Sequence, residues 1–174
     1  TAFIVAPRAA HISLISPKPI MDGYAEKGRA HKNAPFGAPG VDAISSDATI
    51  VRSGGQLELE IDMYIYHRGE IVVLYTQDPT GEDIAPAMTL PSAETPIPHK
   101  NLIHRIPAPC IPTDTGCARQ HIFKTTVTLP EITGDLYLVV RQIMTDSADE
   151  KADGSVDLSR VYYHQTAKLH LVRE

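Results

Sequence analysis

The stretch Gln56-Leu57-Glu58-Leu59-Glu60-Ile61-Asp62-Met63-Tyr64-Ile65-Tyr66 decides the fold. Leu57, Leu59, Ile61, Met63 and Ile65 fall on one parity; Glu58, Glu60, Asp62, Tyr64 and Tyr66 fall on the other. Successive side chains of a strand point to opposite faces, so this is a half-buried strand with an apolar and a wet side. Arg68-Gly69 then turns the chain into Ile71-Val72-Val73-Leu74-Tyr75, and the two runs read as a hairpin.

Working outward, the same pattern recurs. Ile122 to Leu129 sets Phe123, Thr125, Val127 and Leu129 on one face. Leu136 to Met144 is rich in β-branched residues. Val161 to Val172 places Val161, Tyr163, Gln165, Ala167, Leu169 and Leu171 on one face. Ile12 to Ile15 and Ala48 to Val51 are short strands. Helical periodicity is weak throughout. Three turn-rich stretches intervene: Lys18 to Gly40, the proline-rich Pro91 to Gly116, and the acidic Asp146 to Ser159. Short strands separated by such stretches imply an all-β chain, an antiparallel immunoglobulin- or fibronectin-III-like β-sandwich with long loops. No internal repeat and no second domain is visible, so residues 11–174 form one sandwich domain. Function belongs at strand ends and loops, where long connections of a compact domain gather.

Composition narrows the function. The chain of 174 residues suits one domain with a proper core. Its formal net charge of -5 lacks the basic footprint of a general nucleic-acid binder. No apolar run is long enough to span a bilayer. Tryptophan is absent, which excludes a binding face of stacked indoles.

The first ten residues have two readings. Ala2-Phe3-Ile4-Val5-Ala6 followed by Pro7-Arg8-Ala9-Ala10 has the form of a signal-peptide remnant cleaved after Ala10. The alternative is an extra N-terminal strand. Cys110 and Cys117 suit neither a CxxC redox site nor a zinc site. A local disulfide in an exported protein, secreted or periplasmic, is the expectation; two free thiols in a cytosolic one is the alternative.

Eight histidines are spread along the chain, and a single one is usually a surface or satisfied polar residue. Two have informative company. His67 follows the decisive strand on its apolar parity, next to a turn. His11 would become the N-terminus after cleavage at Ala10. Tyr163 lies on the core parity near the start of its strand. A terminal amine, two imidazoles from His11 and His67 and a weak axial tyrosine make the tetragonal nitrogen and oxygen set that copper(II) prefers. The amine loses its proton readily, since its intrinsic pKa is about 8. Gln142 shares its face with Leu136, Leu138, Val140 and Met144, and a polar group there needs a partner. It sits either beside a metal site or where the strand end meets water.

These pieces together resemble the lytic polysaccharide monooxygenases, and particularly a group of bacterial monooxygenase-like secreted proteins. The resembling residues are Arg8 to Pro17, Tyr64 to Glu70, Tyr137 to Met144 and Val161 to Leu171, in matching order and spacing. The resemblance implies an immunoglobulin-like sandwich with one copper in a histidine brace made by His11 and His67. It implies Tyr163 in the axial place, with Tyr162 as the substitute if the register slips by one. It puts Gln142 where such enzymes carry a glutamate or glutamine that helps position the oxygen species. The implied reaction is oxidative cleavage of a polysaccharide of chitin or cellulose type, with a reductant and oxygen or hydrogen peroxide. Copper supplies that chemistry and the protein supplies ligation and orientation.

The chain departs from such relatives at four residues. His11 is not terminal in the sequence as it stands. Phe36 in Asn33-Ala34-Pro35-Phe36-Gly37 replaces a usual cysteine, and Thr166 and Lys168 replace a usual cysteine and aspartate. Other metal signals are slight. Asp146 to Gly154 misses the EF-hand spacing. His99, His104 and His121 match no standard zinc site. No nucleophile elbow and no P-loop is present. Two non-catalytic alternatives share the fold: a copper-binding or transport protein, and an interaction module of an extracellular assembly that docks through an edge strand.

Overall fold

A computed structural model describes residues 12–21, 32–37, 47–63, 67, 69–86, 101–106, 122–145, 149–150, 152–153, 156–157 and 161–173. His11, the first ten residues, Cys110 and Cys117 lie outside the described residues, as do His99 and His121.

The described elements are almost all strand. In chain order they are β1 (Ile12–Ser16), β2 (Thr49–Arg52), β3 (Gln56–Met63), β4 (Gly69–Thr76), β5 (Leu102–Ile106), β6 (Ile122–Thr128), β7 (Gly134–Met144), β8 (Asp149–Glu150), β9 (Val156–Asp157) and β10 (Tyr162–Val172). A 3-10 turn, Glu82–Ile84, follows β4. One sheet has the order β1-β3-β6 and the other β2-β10-β7-β4-β5; β8 and β9 pair by themselves. All pairs are antiparallel except β2 with β10, which run parallel. The fold is the expected immunoglobulin-like β-sandwich.

The decisive strand lines the core as its alternation predicts. Leu59, Ile61 and Met63 are buried and join Ile12, Leu14, Val127, Leu136, Leu138, Val140, Tyr163, Ala167 and Leu169 in one cluster between the sheets. The strand sequence reaches Tyr66, whereas β3 is described only to Met63. Two expectations change. β5 lies inside the proline-rich stretch that shows no pattern, and β8 and β9 form a small hairpin inside the acidic one.

The larger sheet is also buried on its outer side. Phe36, Val72, Leu74, Ile84, Val139, Ile143, Val161 and Tyr162 make a second cluster there. Residues 32–37 and the Glu82–Ile84 turn cover it. Phe36 stacks obliquely on Tyr137 at 5.0 Å between ring centroids. Thr166 donates its hydroxyl to the Phe36 carbonyl at 2.8 Å. Gly37 adopts φ +73°, and a Cβ there would stand 2.2 Å from the His164 carbonyl oxygen, so only glycine fits. This cover is a third layer.

Candidate functional site

The register of three strand pairs builds one pole of the sandwich. Ile12 of β1 stands opposite Met63 at the end of β3. Tyr163 of β10 stands opposite Gln142 of β7, and Gln142 opposite Ile71 of β4. Across the sandwich, Gln142 Nε2 donates to the Met63 sulfur at 3.6 Å. The start of β1, the end of β3, Gln142 and Tyr163 therefore share one end of the core. His67, partly buried, lies in the β3–β4 connection at that same end. His11 itself lies outside the described residues; the residue that follows it opens β1.

The connection is shaped by Gly69. Its φ of +138° and the 1.8 Å separation that a Cβ would have from the Ile143 carbonyl oxygen demand glycine there. The chain thus leaves His67 and drops directly against β7.

Gln142 and Tyr163 are almost wholly buried on the inner face. Tyr163 belongs to the core between the sheets, whereas Tyr162 belongs to the outer cluster. The fold thus turns Tyr163, and not its neighbour, into the core between the sheets. Above the Tyr163 ring sits the Lys32 ammonium, 4.7 Å from the centroid, a cation–π contact that sequence reasoning missed. Gln165 is a second unpredicted polar residue of the inner face. Its Oε1 accepts from the Leu14 backbone N–H at 3.2 Å and ties β1 to the opposite sheet. The signal was available: Gln165 shares the core parity of β10, as Gln142 does that of β7.

The outer face carries the pair that sequence reasoning also missed, Arg141 and His164. They stand opposite each other one residue from Gln142 and Tyr163. Both are fully buried. Arg141 Nε donates to His164 Nδ1 at 3.1 Å, and Nη2 donates to the Ile84 carbonyl at 2.6 Å.

The other described histidines stay apart from this pole. His104 contacts the Thr125 hydroxyl at 3.3 Å, across the β5–β6 seam. His170 Nδ1 lies 2.7 Å from Asp135 Oδ1, and Lys168 Nζ lies 3.0 Å from Asp135 Oδ2. These contacts hold the Asp135 carboxyl below its ordinary range, the His170 hydrogen bond more than that of Lys168. Among the described residues no three of His, Cys, Asp and Glu form a metal cluster. A polar groove lined by Arg52, Gln56, Glu131 and Arg173 lies at the opposite pole, by the β2–β3 and β6–β7 turns.

No protein-family model matches the chain, and no curated protein does. Solved structures resemble it. A chitin binding domain from Burkholderia pseudomallei superposes with a TM-score of 0.51 at 12% identity, over 93% of this chain and 99% of that one. AA10A of T. fusca gives 0.40 at 13% identity, over 72% of this chain; this chain spans 52% of its length. An AA10 lytic polysaccharide monooxygenase from Streptomyces lividans gives 0.42 at 9% identity, over 93% of this chain and 83% of that one. The likeness is one of fold.

Proposed function

We propose that this chain is a copper-binding protein of the lytic polysaccharide monooxygenase type, acting oxidatively on a polysaccharide of chitin or cellulose type. The proposal rests on one observation: a single pole of the sandwich gathers the start of β1, His67, Gln142 and Tyr163. The fold shared with a chitin binding domain supports it.

In this proposal residues 1–10 are removed on export and residues 11–174 are the mature domain, secreted or periplasmic. His11 then offers its amine and imidazole, His67 a second imidazole, and Tyr163 a phenol oxygen from the core side. That donor set suits copper(II) by chemistry and number. Bound copper would supply the redox chemistry. The chain's own residues do the rest. Gln142 holds a carboxamide beside the pole, its Nε2 on the Met63 sulfur and its oxygen enclosed by protein. Inner-face packing around Tyr163 keeps bulk water from the site's floor. With no tryptophan in the chain, a polysaccharide would be met by tyrosine and polar groups. A Cys110–Cys117 disulfide belongs to the same extracellular setting.

The deciding measurement is the intact mass of the exported protein, followed by copper titration and a peroxide-driven assay on chitin and on cellulose. A mature chain beginning at His11, tight copper binding lost in His67→Ala, and oxidised oligosaccharides support the proposal. A mature chain still beginning at Thr1 sinks the amine-based brace. Tight copper without oxidised product leaves a carrier with the same fold.

A further inference from the structure

The pole opposite His67 carries a groove of about 660 Å³ that the proposed copper chemistry does not use. The β2–β3 turn, the β6–β7 connection and the end of β10 frame it. Backbone hydrogen bonds lock that frame. Ser53 N–H donates to the Val172 carbonyl at 2.9 Å, Gly54 N–H to the Pro130 carbonyl at 3.1 Å, and Leu129 N–H to the Gly55 carbonyl at 2.9 Å. Gly54 adopts φ +67°, and a Cβ there would stand 3.0 Å from Glu131 Cγ. The Gly54-Gly55 pair thus keeps the floor of the groove clear of side chains.

The walls are polar throughout. Arg52, Ser53, Gln56, Glu131 and Arg173 line the groove with the two glycines, and no aromatic or aliphatic side chain joins them. Arg173 and Glu131 are both exposed, yet no ion pair joins them among the described residues. A cation and an anion that face one groove without closing on each other leave room for a ligand between them. Ligand pockets ordinarily gain affinity from apolar walls. This one lacks them, so affinity has to come from charge and hydrogen bonds. Two arginines against one glutamate leave one positive charge in the lining, which matches one carboxylate. A guanidinium receives a carboxylate through two parallel N–H bonds. The Glu131 carboxylate is acceptor-only: it takes hydroxyl donors and repels a second negative charge.

We propose that this groove binds a hydroxylated carboxylic acid of sugar size, a uronic acid residue. Its carboxylate lies on Arg173, and its hydroxyls lie on Glu131 and Gln56. A neutral sugar would forgo the cation and find no ring face to lie on. A phosphate dianion would meet Glu131, on a chain whose net charge is already -5. The site goes beyond the copper reading and does not depend on it.

The test uses the whole chain without added metal, titrated with glucuronate and followed by amide shifts in nitrogen-15 NMR. The amides of Ser53 to Gln56, Glu131 and Arg173 should move along one saturating curve, and that of His67 should not. Glucose and inorganic phosphate, titrated in parallel, should each bind at least about tenfold more weakly. Arg173→Gln should weaken glucuronate by about tenfold or more. Glu131→Gln should weaken glucuronate by about threefold and strengthen phosphate. Absence of saturating shifts in the groove overturns the proposal. So does glucose or phosphate binding as tightly as glucuronate, or an unchanged affinity in Arg173→Gln. Both substituted residues are exposed, so the variants retain the fold.

Discussion

The two faces of the β7–β10 ribbon are built by neighbouring residues and behave as different materials. The inner face presents Gln142 and Tyr163, the outer face Arg141 and His164. The inner face meets a second sheet whose own alternation announces it. The outer face meets turns: residues 32–37 and Glu82–Ile84, anchored through Thr166, Ile84 and the close approach of Gly37. Strand alternation reports which face meets a sheet. It does not report which face meets a folded loop, since loops carry no period. The same ribbon thus holds a candidate reactive pole on one side and a polar staple on the other.

Four substitutions break or sharpen this contrast. Phe36→Ala has the largest expected effect. If the outer layer is a true core, deleting this buried ring costs about 3–5 kcal/mol in chemical denaturation. A loss below about 1 kcal/mol would reduce that layer to a surface covering. Gly37→Ala comes next, at about 1–3 kcal/mol, because the added methyl must push His164 or residues 32–37 aside. The copper binding proposed for the inner face should survive it, and a calorimetric loss of copper relative to wild type would show the faces coupled.

Gln165→Leu tests the inner face in return. It leaves the buried Leu14 N–H without its acceptor, at about 1–2 kcal/mol, and should raise hydrogen exchange at Leu14 selectively. Asp135→Asn is the smallest, under about 1 kcal/mol, because both its contacts are half-exposed at one end. Asp135 has a lowered folded pKa, so its contribution is present above the ordinary carboxylate range. That contribution disappears as pH falls through the lowered value. Wild type and variant should therefore differ in urea midpoint at neutral pH and converge in acid.

The legibility of this chain follows the same division. Period-two alternation over Gln56 to Met63 and Tyr162 to Val172 made the inter-sheet core readable, and with it the inner parity of Gln142 and Tyr163; Val161, read on the face of Tyr163, precedes the strand and joins the outer cluster instead. The edge strand β5 was not readable. Its residues, Leu-Ile-His-Arg-Ile, are all half-exposed, so no parity shows, and Arg105 is held by paired hydrogen bonds to Glu70 on β4. β8 and β9 have two residues each, too few for any period. Arg141 and His164 were missed because only the parity of Gln142 and Tyr163 was read on these strands. A clue existed: Ile71 to Leu74 is an unbroken apolar run, which signals a strand buried on both sides.

One contact has a temporal meaning. The Leu14 amide finds its acceptor on Gln165, 151 positions later. Bridges from Pro19 and Ile20 also land on the same late strand, at Ala167 and Thr166. At ribosomal speeds of about 5–20 residues per second, the opening strand waits roughly 8–30 s for its anchor to be synthesised. During that interval its apolar residues lack the cover of the late strand, which makes the nascent chain a natural client for holdases.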